Sequence, residues 1–195
     1  KTEVYGTENL PLEGGYVMYP NHQGKFDALS IMITHPKPCS VVVDDAVSYG
    51  ILIKEFIDLV EGKRMKLGDV RQALGIIKET STEVREGRRY IIFSEGGYTN
   101  NGNTLQEFKP GSFKMAMMAK APIVPVALID SYKVFGENSL VPVTAKVHYL
   151  EPLYYEDYKG MNSREICALV KSRIQQAIDD ELEARRNKRS WFHRK

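Results

Sequence analysis

The chain has 195 residues, 43% apolar and 27% charged with a net charge of +2, the balance of an ordinary globular protein with one core. No apolar stretch approaches the ~20 residues that span a bilayer as a helix, and no charged-then-apolar secretory leader is present. Cys39 and Cys167 match neither a disulfide framework nor a paired zinc spacing, so they read as reduced and buried, which points to the cytoplasm.

In chain order, the apolar runs predict strands at 15–20 (GYVMYP), 40–44 (SVVVD), 89–94 (RYIIFS), 123–129 (IVPVALI) and 143–150 (VTAKVHYL). Helical periodicity fills the gaps. From Asp69 to Glu86, Val70, Ala73, Leu74, Ile77 and Val84 recur at helical spacing, and Asp69 with Gln72 resembles a capping box. A further helix is predicted from about Asn162 to Arg186, with Asn162 and Glu165 at its start and Ile166, Val170, Ile174, Ile178 and Leu182 along one face. Near-continuous apolar strands alternating with helices predict an α/β fold, one domain over 1–195 whose largely parallel twisted sheet is covered by helices on both faces. A polar loop from Gly96 to Pro110 interrupts the pattern. Ligands of such sheets bind beyond the carboxyl ends of the strands.

The chain closes on a basic, aromatic tail. Residues 185–195 hold six of the 27 basic residues and no acid, which leaves 21 basic against 25 acidic residues in the body. With Trp191 and Phe192 inside it, this run suits an anionic membrane surface, where each nearby Lys or Arg contributes about 1 kcal/mol and aromatics settle at headgroup level. A frayed, solvated terminus is the plainer reading. Nucleic acid is not an expected partner, because neither a recognised binding fold nor a second basic stripe accompanies the tail.

His22 and Asp27 follow the first predicted strand, in the segment Tyr19-Pro20-Asn21-His22-Gln23-Gly24-Lys25-Phe26-Asp27. On one continuous helix they would diverge by about 140°, at about 3.6 residues per turn, and could not pair. If His22 sits in a turn ahead of the helix and Asp27 in its first turns, the carboxylate folds back onto one ring nitrogen. Gly24 supplies the permissive backbone. The carboxylate then sets the tautomer and leaves the other nitrogen free as a general base. By spacing alone, the same two residues also read as a cap and a surface side chain.

The Asn-His-x4-Asp pattern at the end of an apolar strand resembles the first signature block of the glycerolipid acyltransferase family, typified by the 1-acyl-glycerol-3-phosphate acyltransferases. Further blocks follow in order. Phe93-Ser94-Glu95-Gly96-Gly97 resembles the family's Phe-Pro-Glu-Gly-Thr, about seventy residues after the histidine. Phe108-Lys109-Pro110-Gly111-Ser112-Phe113-Lys114, then Ala121-Pro122-Ile123-Val124-Pro125-Val126, is similar to its closing helix and Val-Pro-Val strand. Gly6-Thr7-Glu8-Asn9-Leu10-Pro11 resembles the lead-in to the first strand, so the likeness covers roughly residues 5–150.

The resemblance implies that the Glu-Gly block, with an Arg from a middle block, binds the acceptor's glycerol phosphate. Gly96 and Gly97 permit close backbone approach, and N–H groups in such a turn can receive an anion. Glu95 is expected either to orient a basic side chain, to accept a glycerol hydroxyl, or to serve as structural partner of a buried Arg. Arg64, in Glu61-Gly62-Lys63-Arg64-Met65-Lys66, is the expected phosphate clamp, since its planar fork can hold two phosphate oxygens. Lys63, Lys66 and Arg71 are the alternatives. The chain departs from the family at Asp44 and Asp45, where a Lys is usual, and at Gly97-Tyr98, which replaces Thr-Arg. Both departures bear on acceptor identity more than on reaction type.

Other chemistries fit less well. Ser94 lacks the leading glycine of a nucleophile elbow, and neither Gly-Lys pair continues with the Ser or Thr of a phosphate loop. His35, His148 and His193 lie in no ligand pattern, so no metal is expected. Met115, Met117 and Met118 are expected in the core or against acyl chains.

What the resemblance implies is direct acyl transfer from a thioester donor, acyl-CoA or acyl carrier protein, to a lysophospholipid acceptor, 1-acyl-glycerol 3-phosphate, with no other cofactor. His22 is the expected base and Asp27 its partner, with N–H groups at the start of the following helix stabilising the oxyanion. The expected location is the cytoplasmic face of a membrane, peripheral or held by an anchor outside this chain. Three alternatives stand beside this: the same chemistry on glycerol 3-phosphate or another lysophospholipid, a catalytically silent lipid-binding module, and a thioesterase that uses water.

Overall fold

The computed structural model describes every residue except 51, 67, 100, 137–141 and 193–195, and the backbone alone for 188–192. Among the described residues seven strands form one sheet: β1 (Thr2–Tyr5), β2 (Tyr16–Pro20), β3 (Ser40–Asp44), β4 (Lys63–Met65), β5 (Arg89–Ile92), β6 (Ile123–Ile129) and β7 (Ala145–Tyr149). Their order is β1-β7-β6-β2-β5-β3-β4, and every neighbouring pair is parallel except β6 with β7. The five strands expected from apolar runs are β2, β3, β5, β6 and β7. The two that the sequence did not announce, β1 and β4, are the sheet's edges. Edge strands are commonly short and charged, which keeps them from pairing with other chains and also removes the apolar run by which a strand is recognised.

Among the described residues six α-helices cover the sheet: α1 (Asp27–Thr34), α2 (Ile53–Leu59), α3 (Val70–Arg85), α4 (Lys114–Ala119), α5 (Tyr155–Tyr158) and α6 (Ser163–Phe192). Side chains alternate between the two faces, as a strand's period of two requires. Val17, Tyr19, Tyr90, Ile92, Ala127 and Ile129 face one way and pack with Ile77 of α3, Met115 of α4 and Ile166, Val170, Ile174 and Ile178 of α6. Tyr16, Met18, Ile91, Val124, Val126 and Leu128 face the other way, toward Ile31 of α1 and Ile57 of α2. Both faces are therefore covered, and the strands read as unbroken apolar runs for that reason.

The helix starts obey local chemistry. At α6, Asn162 Oδ1 accepts from the N–H groups of Arg164 (2.9 Å) and Glu165 (3.2 Å), while Glu165 Oε2 accepts from Asn162 N (2.6 Å), a reciprocal capping box. At α3 only half of the expected box forms. Asp69 accepts from Gln72 N at 3.0 Å, but the Gln72 side chain turns to Lys66 N at 2.6 Å. The α6 backbone runs on to Phe192, so the predicted tail begins inside a helix. Arg185 there is ion-paired, whereas the side chains of 188–195 lie outside the described residues. No helix among the described residues is long and apolar enough to cross a membrane.

Candidate active site

Strands β6, β2, β5 and β3 lie side by side and parallel, so the loops that leave their carboxyl ends converge on one edge of the sheet. Beyond β2, the buried Asn21 extends the pairing with its side chain. Its Nδ2 donates to Leu128 O (3.0 Å) and its Oδ1 accepts from Leu128 N (2.7 Å), which hooks the exit of β2 onto β6. The chain then turns through His22-Gln23-Gly24-Lys25-Phe26 before α1 begins at Asp27.

That turn carries the carboxylate back to the imidazole: His22 Nδ1 donates to Asp27 Oδ2 at 2.7 Å. The same oxygen accepts from the N–H groups of Gln23 (2.5 Å) and Gly24 (2.9 Å), and Asp27 Oδ1 accepts from the Ser131 hydroxyl. Four donors thus surround a carboxylate that is fully buried, as a buried polar group requires. With Nδ1 committed to Asp27, Nε2 is left as the acceptor nitrogen, and it is bonded to none of the described residues. The ring is stacked on Phe93 (centroids 4.1 Å apart), meets Tyr98 edge-on (4.8 Å), and lines a cleft of about 2770 Å³.

Glu95, in the turn after β5, is buried and supports the histidine from behind. Its Oε1 accepts from His22 N (3.0 Å), and its Oε2 accepts from Gln106 Nε2 (2.6 Å) and Gln106 N (3.3 Å). Burial raises its pKa, against the opposing pull of these bonds from His22 and Gln106. Among the described residues it has no Arg or Lys partner, so the expected pairing with a basic side chain is absent. Gly96 and Gly97 continue the turn with φ of 72° and 155°, conformations that favour glycine. A side chain at Gly96 would also collide with the Lys109 side chain that runs over it.

Residues that no motif singled out complete the frame. The Gln23 side chain donates to Gly102 O (3.1 Å) and Asn103 Oδ1 (2.8 Å) and accepts from Ser131 N (3.0 Å). Asn103 closes a two-way link with Asp130, and Asp130 receives Lys133 and Arg185. The polar loop after β5 is pinned across β2 and β6 by this network.

Arg64 lies elsewhere. Its guanidinium donates to Ser48 Oγ (3.1 Å) and Asp58 Oδ1 (2.6 Å) and covers the Tyr49 ring, and it is not part of the cleft lining. Lys63 is held by Glu79 (2.7 Å) and Glu83 (2.6 Å), and neither Lys66 nor Arg71 lines the cleft. The lining does contain Lys25, Lys109, Lys114, Lys133 and Arg185, together with Asp44. His35 bonds Tyr16 (2.6 Å) and His148 stacks on Tyr5 (centroids 4.6 Å), both away from His22, while His193 is outside the described residues. Met115 is buried and reaches the cleft, Met117 packs on the core, and Met118 is exposed.

Comparison with known proteins gives a consistent picture. The sequence profile of the Acyltransferase family matches residues 1–129. The 1-acyl-sn-glycerol-3-phosphate acyltransferase alpha of Homo sapiens is 30% identical over 185 residues, covering 87% of this chain and 60% of that protein, and that of Mus musculus is 28% identical over 187 residues, covering 88% and 60%. The 1-acyl-sn-glycerol-3-phosphate acyltransferase of Borreliella burgdorferi is 26% identical over 191 residues, covering 92% and 72%. The chain thus spans about 60% of the length of the mammalian relatives. In fold it is similar to the crystal structure of PlsC, the 1-acyl-sn-glycerophosphate acyltransferase of Thermotoga maritima, with a TM-score of 0.75 at 19% identity over 94% of this chain and 72% of that one.

Proposed function

The chain belongs to the Acyltransferase family, and from that premise we propose that it moves a fatty acyl group from a thioester donor, acyl-CoA or acyl carrier protein, to the free hydroxyl of 1-acyl-glycerol 3-phosphate, giving phosphatidate. One observation carries the reading: an imidazole bonded through Nδ1 to a buried carboxylate, with Nε2 unengaged, lines a cleft large enough for two substrates.

In this mechanism Nε2 of His22 takes the proton of the acceptor hydroxyl as its oxygen attacks the thioester carbonyl carbon. Asp27 balances the imidazolium that forms. Collapse of the tetrahedral intermediate breaks the carbon–sulfur bond, and the departing thiolate takes the proton back from His22, so no covalent enzyme intermediate is needed. The N–H groups of Gln23 and Gly24 are occupied by Asp27, which leaves those of Lys25 and Phe26, both in the cleft wall, to receive the oxyanion. Exposed Val47, Leu52, Val70 and Phe135 around the cleft suit an amphiphilic acceptor delivered from a membrane, in line with a peripheral or anchored position on its cytoplasmic face.

Replacement of His22 by Ala is expected to lower acyl transfer by two to four orders of magnitude, on the order of 10²–10⁴, with the fold retained. The measurement is thiol release from acyl-CoA and from acyl carrier protein, with and without lysophosphatidate. Turnover by H22A near that of the parent chain would remove His22 as the base, and thiol release independent of acceptor would make the protein a thioesterase. Asp44 in the lining favours one second reading, the same reaction on a different lysophospholipid, and a panel of acceptors with one donor separates the two.

A further inference from the structure

The reaction proposed above needs a grip on the acceptor's phosphate, and the residue expected for it, Arg64, is bound to Asp58 and Ser48 outside the cleft. We infer that Lys109, seated on the turn Gly96-Gly97-Tyr98 beside His22, binds the phosphate monoester of the acceptor; this deepens the proposed function and rests on it. Among the described residues five Lys or Arg side chains line the cleft, and they are not equivalent. Lys133 and Arg185 are both committed to Asp130. Lys25, Lys114 and Lys109 are all exposed, but for Lys25 and Lys114 the structure gives no contact with the turn.

Lys109 differs in how it is held. Its N–H donates to Ser94 O at 2.8 Å, which fixes its backbone to the turn that follows β5, and its side chain runs over Gly96 closely enough that a Cβ there would collide with it. Among the described residues no carboxylate is bonded to its ammonium group. Glu95, the nearest acid in sequence to that turn, has both oxygens occupied by His22 N and Gln106. An unpaired ammonium therefore stands above a glycine turn, and the N–H groups of Gly97 and Tyr98 in that turn have no backbone partner among the described residues. An ammonium point charge beside such N–H groups is an arrangement that receives phosphate oxygens. The same Glu95 that carries the turn also accepts from His22 N, so a phosphate held there lies next to the imidazole.

The donor's phosphates have the same chemistry, so the test has two arms. Calorimetric titration measures the binding of sn-glycerol 3-phosphate and, separately, of CoA to the full chain and to K109A, K109R and R64A. The expected result is a loss of about tenfold or more in glycerol 3-phosphate affinity for K109A, partial retention in K109R, and no change in R64A or in CoA binding. The assignment is overturned if K109A binds glycerol 3-phosphate like the parent, if R64A shows the loss, if the loss falls on CoA instead, or if the parent chain does not bind glycerol 3-phosphate. A parent chain that binds glycerol 3-phosphate through Lys109 yet transfers no acyl group would retire the proposed reaction and leave this anion site standing.

Discussion

Asp27 accepts from four donors, three within five residues of it and the fourth, Ser131, 104 positions further along the chain. Those from Gln23 N and Gly24 N belong to the turn around Gly24, and the bond from His22 was expected. Ser131 was not, because nothing in Ile129-Asp130-Ser131 marks a hydroxyl that will meet a carboxylate beside another strand. Asp130 has a positive φ of 62°, and this left-handed residue turns the chain so that Ser131 N and Oγ both face Gln23 and Asp27. Removing one donor from a buried charged acceptor costs about 1–3 kcal/mol. S131A is therefore expected to lower the melting temperature and to reduce kcat several-fold with little change in the acceptor KM, since it disturbs how Asp27 holds His22 and not how substrate binds. Steady-state kinetics with S131T as control test this: the threonine keeps the hydroxyl and should recover most of the loss, and a change in KM alone would remove Ser131 from the positioning of His22.

The elements follow their own local rules where their length allows it. Helix α6 buries Ile166, Val170, Ile174 and Ile178, a stripe at four-residue intervals that was legible in advance. Each such side chain contributes roughly 1.5–3 kcal/mol by leaving water. Ile174 is fully buried, and I174A is expected to destabilise the fold by about 2–5 kcal/mol in urea titration, a cost that includes the cavity left behind. A loss below about 0.5 kcal/mol would mean that α6 is docked loosely and that its stripe is not the contact that seats it. Strand β4 behaves differently. It is three residues long at the sheet edge, and its register with β3 decides that Arg64 pairs with Val43 in the ladder and turns its guanidinium toward Asp58 and Ser48. No periodicity exists in three residues, so the direction of Arg64 could not be read from its neighbours.

Across the whole molecule, Asp130 joins parts distant in sequence. It receives Arg185 of α6, Lys133 from its own turn and Asn103 from the loop after β5, and that loop reaches Gln23 beside the histidine. Burial pushes the Asp130 carboxyl up, but the bonds from Asn103, Lys133 and Arg185 outweigh it and hold its pKa below the ordinary 3.8. For a group so depressed, the stability it contributes is complete above the unfolded value and is lost as pH falls from about 3.8 through the lower folded value. D130N is therefore expected to lower stability at neutral pH and to flatten the acid limb of the stability profile, measured by urea titration from pH 7 to pH 2. Parallel profiles for the two proteins would show that this junction carries no proton-linked stability.

By itself the sequence determined what contiguous residues decide: five of the seven strands, the layered α/β class, the capped start of α6, and the turn that lets Asp27 reach His22. These depend on side-chain period and on bonds spanning a few residues, and both are written in the chain order. Only the tertiary structure decided which groups from other strands meet that pair. Glu95 lies 73 positions from the histidine whose N–H it accepts, and Asn21 lies 107 from Leu128. Contacts of that separation depend on strand order and on which face of the sheet each residue takes, and a shift of one residue in register reverses the face. The same cause explains why Arg64, expected to hold the phosphate, points away from the cleft while Lys109, in a block noted only for its likeness to the family's closing helix, lines it.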